Sequence, residues 1–142
     1  AGGALAPLRA SPCRGAGVAR LLRSHEAGHT DAAKTELFAQ ALGLEAPPVR
    51  MDSQAKYVLL AAGHAELMLR LLSPRQPDYR EKIWDQAAGS IVLEEAGGRI
   101  TDLDGRALDF SRGRRLEANR GLLASNGPLH DRALDALRQV GA

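Results

Sequence analysis

Apolar residues recur three and four positions apart over four stretches of the chain, the spacing of one buried helix face. Residues 31–43 place Ala33, Leu37, Phe38, Ala41 and Leu42 on one side, with Thr30 or Asp31 as the cap and Gly43 as the stop. Residues 53–62 do the same with Ala55, Val58, Leu59 and Ala62. Residues 83–96 carry Trp84, Ala87, Ala88, Ile91, Val92 and Ala96 in one stripe, ended by Gly97-Gly98. Pro128 opens a last helix with Leu129, Ala133, Leu134, Leu137 and Val140 inward. Short apolar runs predict strands at residues 4–9, 18–23, 49–51, 66–72, 99–103 and 121–125. Turn-rich segments at 10–17, 24–30 and 73–78 and the Asp104-Gly105 pair separate these elements. Helices alternating with strands predict an α/β fold.

Composition narrows the class without choosing a function. A chain of 142 residues suffices for one domain with its own core. Its 44% hydrophobic and 25% charged residues are those of an ordinary globular protein. No apolar run approaches the roughly 20 residues of a membrane span, so no membrane partner is expected. The net charge is +2, and the arginines behind it are spread along the chain rather than blocked. That permits anionic ligands and gives no ground for a nucleic-acid partner. Cys13 stands alone, which excludes an internal disulfide framework. A soluble cytoplasmic or organellar compartment is the expectation.

Four polar groups stand at predicted element ends. Ser53 follows Asp52 where a short strand meets a helix, a place where a hydroxyl and free backbone N–H groups can receive an anion. Lys56 lies one helical turn further on. Arg70 ends a strand whose other face is assigned Leu67, Leu71 and, provisionally, Met68, and its planar fork suits phosphate. His29 closes a loop just before a helix. Each has a plain structural alternative: an N-cap, a solvated lysine, an ion-pair partner and an exposed loop residue. Together, at element ends of an α/β fold, they suggest phosphate binding. Asp85 lies in a helix's first turn, where the dipole favours an anion; by itself it reads as a good first-turn residue.

Other constellations are missing or incomplete. There is no phosphate-cradling glycine loop with lysine and serine, and no Gly-x-Ser-x-Gly elbow. His25 and His29 are four apart, but Gly28 and the loop context argue against zinc. Asp102, Asp104 and Asp109 lack the closing glutamate of a calcium loop.

The run Met51-Asp52-Ser53-Gln54-Ala55-Lys56-Tyr57, followed by Tyr79-Arg80-Glu81-Lys82-Ile83-Trp84-Asp85, closely resembles the 3'(2'),5'-bisphosphate nucleotidases. These belong to the inositol monophosphatase-like, lithium-sensitive, magnesium-dependent phosphatases. The resemblance continues through Ala87-Ala88-Gly89, Glu95-Ala96-Gly97-Gly98, Thr101-Asp102, Leu108-Asp109-Phe110 and Ala124-Ser125-Asn126-Gly127. Upstream, Ser24, Glu26 and His29 fall where the family has a serine, a glutamate and a histidine before a helix.

The resemblance implies removal of one phosphate from 3'-phosphoadenosine 5'-phosphate to give AMP, with Mg2+ as cofactor. It implies that His29, Ser53, Lys56, Arg70 and Asp85 contact the nucleotide and that Asp85 is also a metal ligand. The family's Trp-Asp-His is Trp84-Asp85-Gln86 here, which spares the ligand. Its paired glutamates and its Asp-Pro-Ile/Leu-Asp-Gly-Thr motif, the source of most metal ligands, do not occur in this sequence. Residues 1–142 are therefore expected to form a single domain, the C-terminal α/β half of that fold, with a mixed sheet and flanking helices. Mg2+ would be shared with a missing N-terminal half or a partner chain, and this chain alone would be inactive. Two alternatives stay open: a non-catalytic structural or interaction module, and an inositol phosphate phosphatase.

Overall fold

The computed structural model describes residues 6–25 and 30–142. Five strands form one mixed sheet in the order β2-β1-β3-β5-β4. They are β1 (Leu21–Arg23), β2 (Val49–Arg50), β3 (Leu67–Arg70), β4 (Arg99–Thr101) and β5 (Leu122–Ser125). β1 runs parallel to both β2 and β3, while β5 runs antiparallel to β3 and β4. Among the described residues, α1 (Ala32–Leu42), α2 (Ala55–Ala61) and α3 (Ile83–Glu95) connect successive strands from β1 to β4, and α4 (His130–Gln139) follows β5. The observed α/β fold matches the alternation read from the sequence. None of the helices among the described residues is long and apolar enough to cross a membrane.

Strand side chains alternate between two cores, as the pleat requires. Leu21, Leu67, Leu69, Leu71 and Leu123 pack with Phe38 and Leu42 of α1 and Leu134 and Leu137 of α4. Leu22, Met68, Leu122 and Ala124 pack on the opposite face with Tyr57 and Leu60 of α2 and Leu93 of α3. Met68 therefore shares its face with Arg70, two residues on, and not with Leu67 and Leu71.

The caps of α1 behave as expected. Asp31 accepts from the Lys34 backbone N–H at 3.0 Å, and Gly43 closes the helix at φ 78°. Its inward face is narrower than the periodicity suggests, because Leu37 and Ala33 are exposed. Residues 6–9 form no strand; Ala10 gives one backbone bond to Ala96, at 2.9 Å. Pro7 removes a donor there.

The inward faces of α2 and α3 are the clearest departures. α2 buries Tyr57, Leu60 and Ala61 and leaves Val58 exposed. α3 buries Gln86, Gly89, Ser90 and Leu93, while Trp84, Ile91 and Val92 face outward. The reason is close approach. A Cβ on Gly89 would stand 2.1 Å from Cδ2 of Tyr57, so the Tyr57 ring occupies the space that only glycine leaves. The small and polar side of α3 is the side that can come this near.

Behind β4 and β5, His130 is fully buried. Its Nδ1 lies 2.8 Å from Ser125 Oγ and its Nε2 lies 3.0 Å from Thr101 Oγ1. Thr101 donates to the Asp102 carbonyl at 2.8 Å, so it accepts from Nε2–H. Ser125 accepts from the Gly127 N–H at 3.1 Å and donates to Nδ1. The neutral Nε2–H tautomer satisfies every partner. Asp102, also buried, takes backbone N–H bonds from Asp104 at 3.0 Å and Arg106 at 2.8 Å, and the Asn119 amide at 3.1 Å. It organises a turn rather than an ion site.

Gly89→Ala should cost about 1–3 kcal/mol in denaturant unfolding through overpacking against Tyr57; a variant as stable as the parent would exclude the close approach. Burial holds the His130 imidazole down to about 4. An unfolded histidine takes up its proton near 6.5, so the unfolded chain binds more protons between those values. Stability contributed by the neutral ring is therefore full above pH 6.5 and lost as pH falls towards 4, by roughly 3 kcal/mol at full extent. An NMR titration of the ring checks this, and a midpoint near 6.5 would contradict it.

Candidate functional site

The ends of β1 and β3 and the starts of α2 and α3 meet around a cavity of about 640 Å³. Alternation puts Arg70 on the α2/α3 face of β3, and β1 runs on into Ser24 on the same side. Ser53, Lys56, Arg70 and Asp85 all line this one cavity, with Ser24, Asp52, Tyr79, Glu81, Lys82 and Gln86. His29 lies outside the described residues, as does Glu26.

Ser53 stands in the left-handed region at φ 63°, and α2 begins two residues later, at Ala55. Its hydroxyl accepts from the Ala55 N–H at 3.3 Å, so it caps the turn that opens the helix rather than the helix itself. Lys56 is half-buried and gives Nζ to Ser24 Oγ at 2.9 Å. Burial, then the nearby Arg70 cation, push the Lys56 ammonium below the ordinary lysine range, with Asp52 and Glu81 opposing. Arg70 donates from Nε to Glu81 Oε1 at 3.1 Å; among the described residues no other partner takes its guanidinium. Glu81 Oε2 accepts from Gln86 Nε2 at 2.7 Å, and Gln86 Oε1 accepts a short hydrogen bond from the Tyr57 hydroxyl. Burial and the Glu81 charge push the Tyr57 phenol strongly upward, and burial raises Tyr79 too. Both stay neutral donors.

Asp85 sits in the first turn of α3 and is exposed. Its carboxylate makes no hydrogen bond or ion pair among the described residues. Gln54 Nε2 donates to the Trp84 carbonyl at 2.9 Å, tying the start of α2 to the start of α3. Lys82 and Arg114 stand over the Trp84 ring at 5.7 and 5.3 Å from its centroid.

A second cavity of about 330 Å³ shares Ser24, Lys56 and Arg70 with the first and is lined by Arg23 and Arg50. The first cavity sets Lys56, Arg70 and Lys82 beside Asp52, Glu81 and Asp85. The arrangement can take an anion at Lys56 and Arg70 in the cavity that also holds the Asp85 carboxylate, which is unpartnered among the described residues. The described residues hold no group of three His, Cys, Asp or Glu that could bind a metal ion. A hard divalent cation wants six or more oxygens, so these residues alone do not fit a metal centre.

Sequence reasoning misses Glu81, Gln86 and Tyr57. Glu81 and Gln86 are five apart across a helix start, a spacing that carries no periodic signal, and Tyr57 reads only as a neighbour of Lys56.

A profile of the Inositol monophosphatase family matches residues 3–142. The chain is 47% identical over 115 residues to a 3'(2'),5'-bisphosphate nucleotidase of Emericella nidulans, covering 81% of this chain and 32% of that protein. It is 48% identical over 122 residues to a 3'(2'),5'-bisphosphate nucleotidase of Oryza sativa, covering 86% of this chain and 33% of that one. The chain thus spans about a third of the length of these relatives. Among solved structures, an inositol monophosphatase from Anabaena (Nostoc) sp. PCC 7120 superposes with a TM-score of 0.69 at 23% identity, covering 94% of this chain and 50% of that one. That is a likeness of fold.

The environment of Lys56 makes a solution prediction. Its ammonium should deprotonate below the ordinary lysine range in an NMR titration of the Cε–Hε signals, and Arg70→Ala should move it back upward. A Lys56 that titrates with the exposed lysines would contradict the burial and charge described.

Proposed function

The chain belongs to the inositol monophosphatase family, and from that premise we propose that it forms the nucleotide-binding wall of a bisphosphate nucleotidase. The substrate would be 3'-phosphoadenosine 5'-phosphate, and loss of its 3'-phosphate would leave AMP. What carries the reading is the convergence of Ser53, Lys56, Arg70 and Asp85 on one cavity, in a chain nearly half identical over the aligned residues to named bisphosphate nucleotidases. Lys56 is a compact donor held by Ser24, and Arg70 is a planar fork held by Glu81. Each suits a phosphate oxygen.

Magnesium, which the family resemblance implies, would supply charge to a transferring phosphoryl group when bound. Of the three carboxylates on the cavity, Glu81 is taken by Arg70 and Gln86 and Asp52 accepts from the His25 N–H, so Asp85 is the one the described residues leave for it, and the remaining ligands would have to come from elsewhere. On this reading the isolated chain binds nucleotide and does not turn it over. The second cavity shares Lys56 and Arg70 with the first and adds Arg50 and Arg23, the latter ion-paired to Glu36 at 3.4 Å, which favours a substrate with two anionic groups over an inositol monophosphate.

Calorimetric titration of the full chain with 3'-phosphoadenosine 5'-phosphate tests the reading. Lys56→Ala and Arg70→Ala should each weaken binding about 10- to 100-fold, the loss of one charge-assisted hydrogen bond of about 1.5–3 kcal/mol. Asp85→Asn should bind no more weakly than the parent in chelator and should lose any tightening that magnesium brings. A chain that ignores the nucleotide would leave an interaction module as the better account; one that prefers inositol phosphates would favour the other phosphatase class.

A further inference from the structure

Building on the bisphosphate reading of the cavity, we propose that the buried chain Tyr57–Gln86–Glu81 is a positioning device for Arg70, presenting its guanidinium as the fork that receives a substrate phosphate. Tyr57, Gln86 and Glu81 are 2%, 6% and 4% exposed, so every polar atom among them must find a partner within the protein. Each link has one possible direction. The Tyr57 hydroxyl donates to Gln86 Oε1. That turns the amide nitrogen towards Glu81 Oε2, 2.7 Å away. A flipped amide would set its oxygen against the carboxylate, two acceptors with no proton between them, so the Glu81 end fixes the direction and leaves Oε1 to the phenol proton. The second carboxylate oxygen, Oε1, is left for Arg70 Nε at 3.1 Å.

The backbone fixes both ends of this chain. The Glu81 carbonyl accepts from the Leu116 N–H at 2.9 Å. The Tyr57 ring is held against Gly89, where no Cβ could enter. Glu81 thus cannot turn away without breaking two side-chain bonds in a buried site, and among the described residues Arg70 is engaged through Nε alone. Its terminal guanidinium nitrogens can then meet a ligand in the cavity. This hold matters because Lys56 lies close enough to repel Arg70, and a loosely held guanidinium would swing away from a second cation. Gln86 suits its place as the central link, since an amide donates to Glu81 and accepts from Tyr57 without adding charge. Lys56, Lys82, Asp52, Asp85 and Tyr79 are the other titratable groups on this cavity, and none of them bonds to Gln86.

The test is Gln86→Glu in the full chain, compared with the parent at pH 7.5 and pH 5. The substitution keeps the shape and the Tyr57 bond. When ionised, the introduced carboxylate cannot donate to Glu81 and repels it; when protonated, it donates again. The protection of the Arg70 Nε–H against solvent exchange, read by NMR, should fall at least 10-fold at pH 7.5 and recover at pH 5. Affinity for 3'-phosphoadenosine 5'-phosphate, taken as the ratio to the parent at the same pH, should fall about 10-fold and recover in parallel. Tyr57→Phe, which removes one hydroxyl, should give a smaller loss of protection that does not recover at low pH. Unchanged Arg70 protection in both variants would overturn the positioning role. Lost protection with unchanged nucleotide affinity would overturn the claim that positioning serves phosphate binding. A parent chain that shows the protection pattern but does not bind the nucleotide would sink the bisphosphate reading and leave the positioning of Arg70 upheld.

Discussion

The contact between the Tyr57 ring and the α3 backbone at Gly89 governs the arrangement of this half of the molecule. It lets α2 and α3 pack closer than two ordinary side-chain layers would allow. That proximity places the Tyr57 hydroxyl on Gln86 and the start of α2 beside the start of α3. Asp85, in the first turn of α3, then faces the same cavity as Lys56, in the first turn of α2. Were α3 carried outward by a larger residue at 89, its inward row of Gln86, Gly89, Ser90 and Leu93 would be lifted with it. The polar chain under the cavity would open to water.

The charges around the cavity are arranged to tolerate one another until a ligand arrives. Lys56 and Arg70 repel, and burial makes that repulsion felt. Glu81 lies beside Arg70 and offsets it. Ser24 holds Lys56 without adding charge. An anion entering here would complete a set of donors already oriented, so little ordering entropy is lost on binding. Asp85 is the exception, an exposed carboxylate engaged with nothing among the described residues. Its position at a helix start stabilises the charge through the dipole and leaves its oxygens outward.

Much of the fold is legible in the sequence because it rests on local rules. The Asp31 cap, the Gly43 stop, most strand positions and the inward face of α4 follow from capping chemistry and apolar period. The faces of α2 and α3 escape those rules for one reason. Apolar periodicity scores carbon, whereas this interface is chosen by the absence of a side chain at Gly89 and by satisfied polar groups at Gln86 and Ser90. Ile91 and Val92 make the stronger apolar stripe and point outward. At the site, Ser53, Lys56 and Arg70 can be marked because each stands at an element end, whereas Asp85 by itself reads as a first-turn residue and is marked only through the family resemblance. Glu81 and Gln86 cannot, since their meaning lies in hydrogen bonds between elements, which no spacing encodes. His130 is invisible for the same reason: Thr101 and Ser125, which satisfy it, lie on two different strands.

The two buried polar chains show how a structural network differs from one that serves a site. The His130 chain runs from the Gly127 N–H through Ser125, the imidazole and Thr101 to the Asp102 carbonyl, and it begins and ends on backbone. Every donor and acceptor in it is used, so it has nothing to offer a ligand, and its deletion would cost stability alone. The Tyr57 chain starts in the core in the same way but ends on a guanidinium that lines a cavity, with its Nε engaged and no partner for its terminal nitrogens among the described residues. A buried network with an open, charged end is costly to maintain for packing alone, because an apolar replacement could fill the same volume without the desolvation of Glu81 and Arg70. The open end is what distinguishes it, and it lies on the cavity where Lys56 and Asp85 already meet.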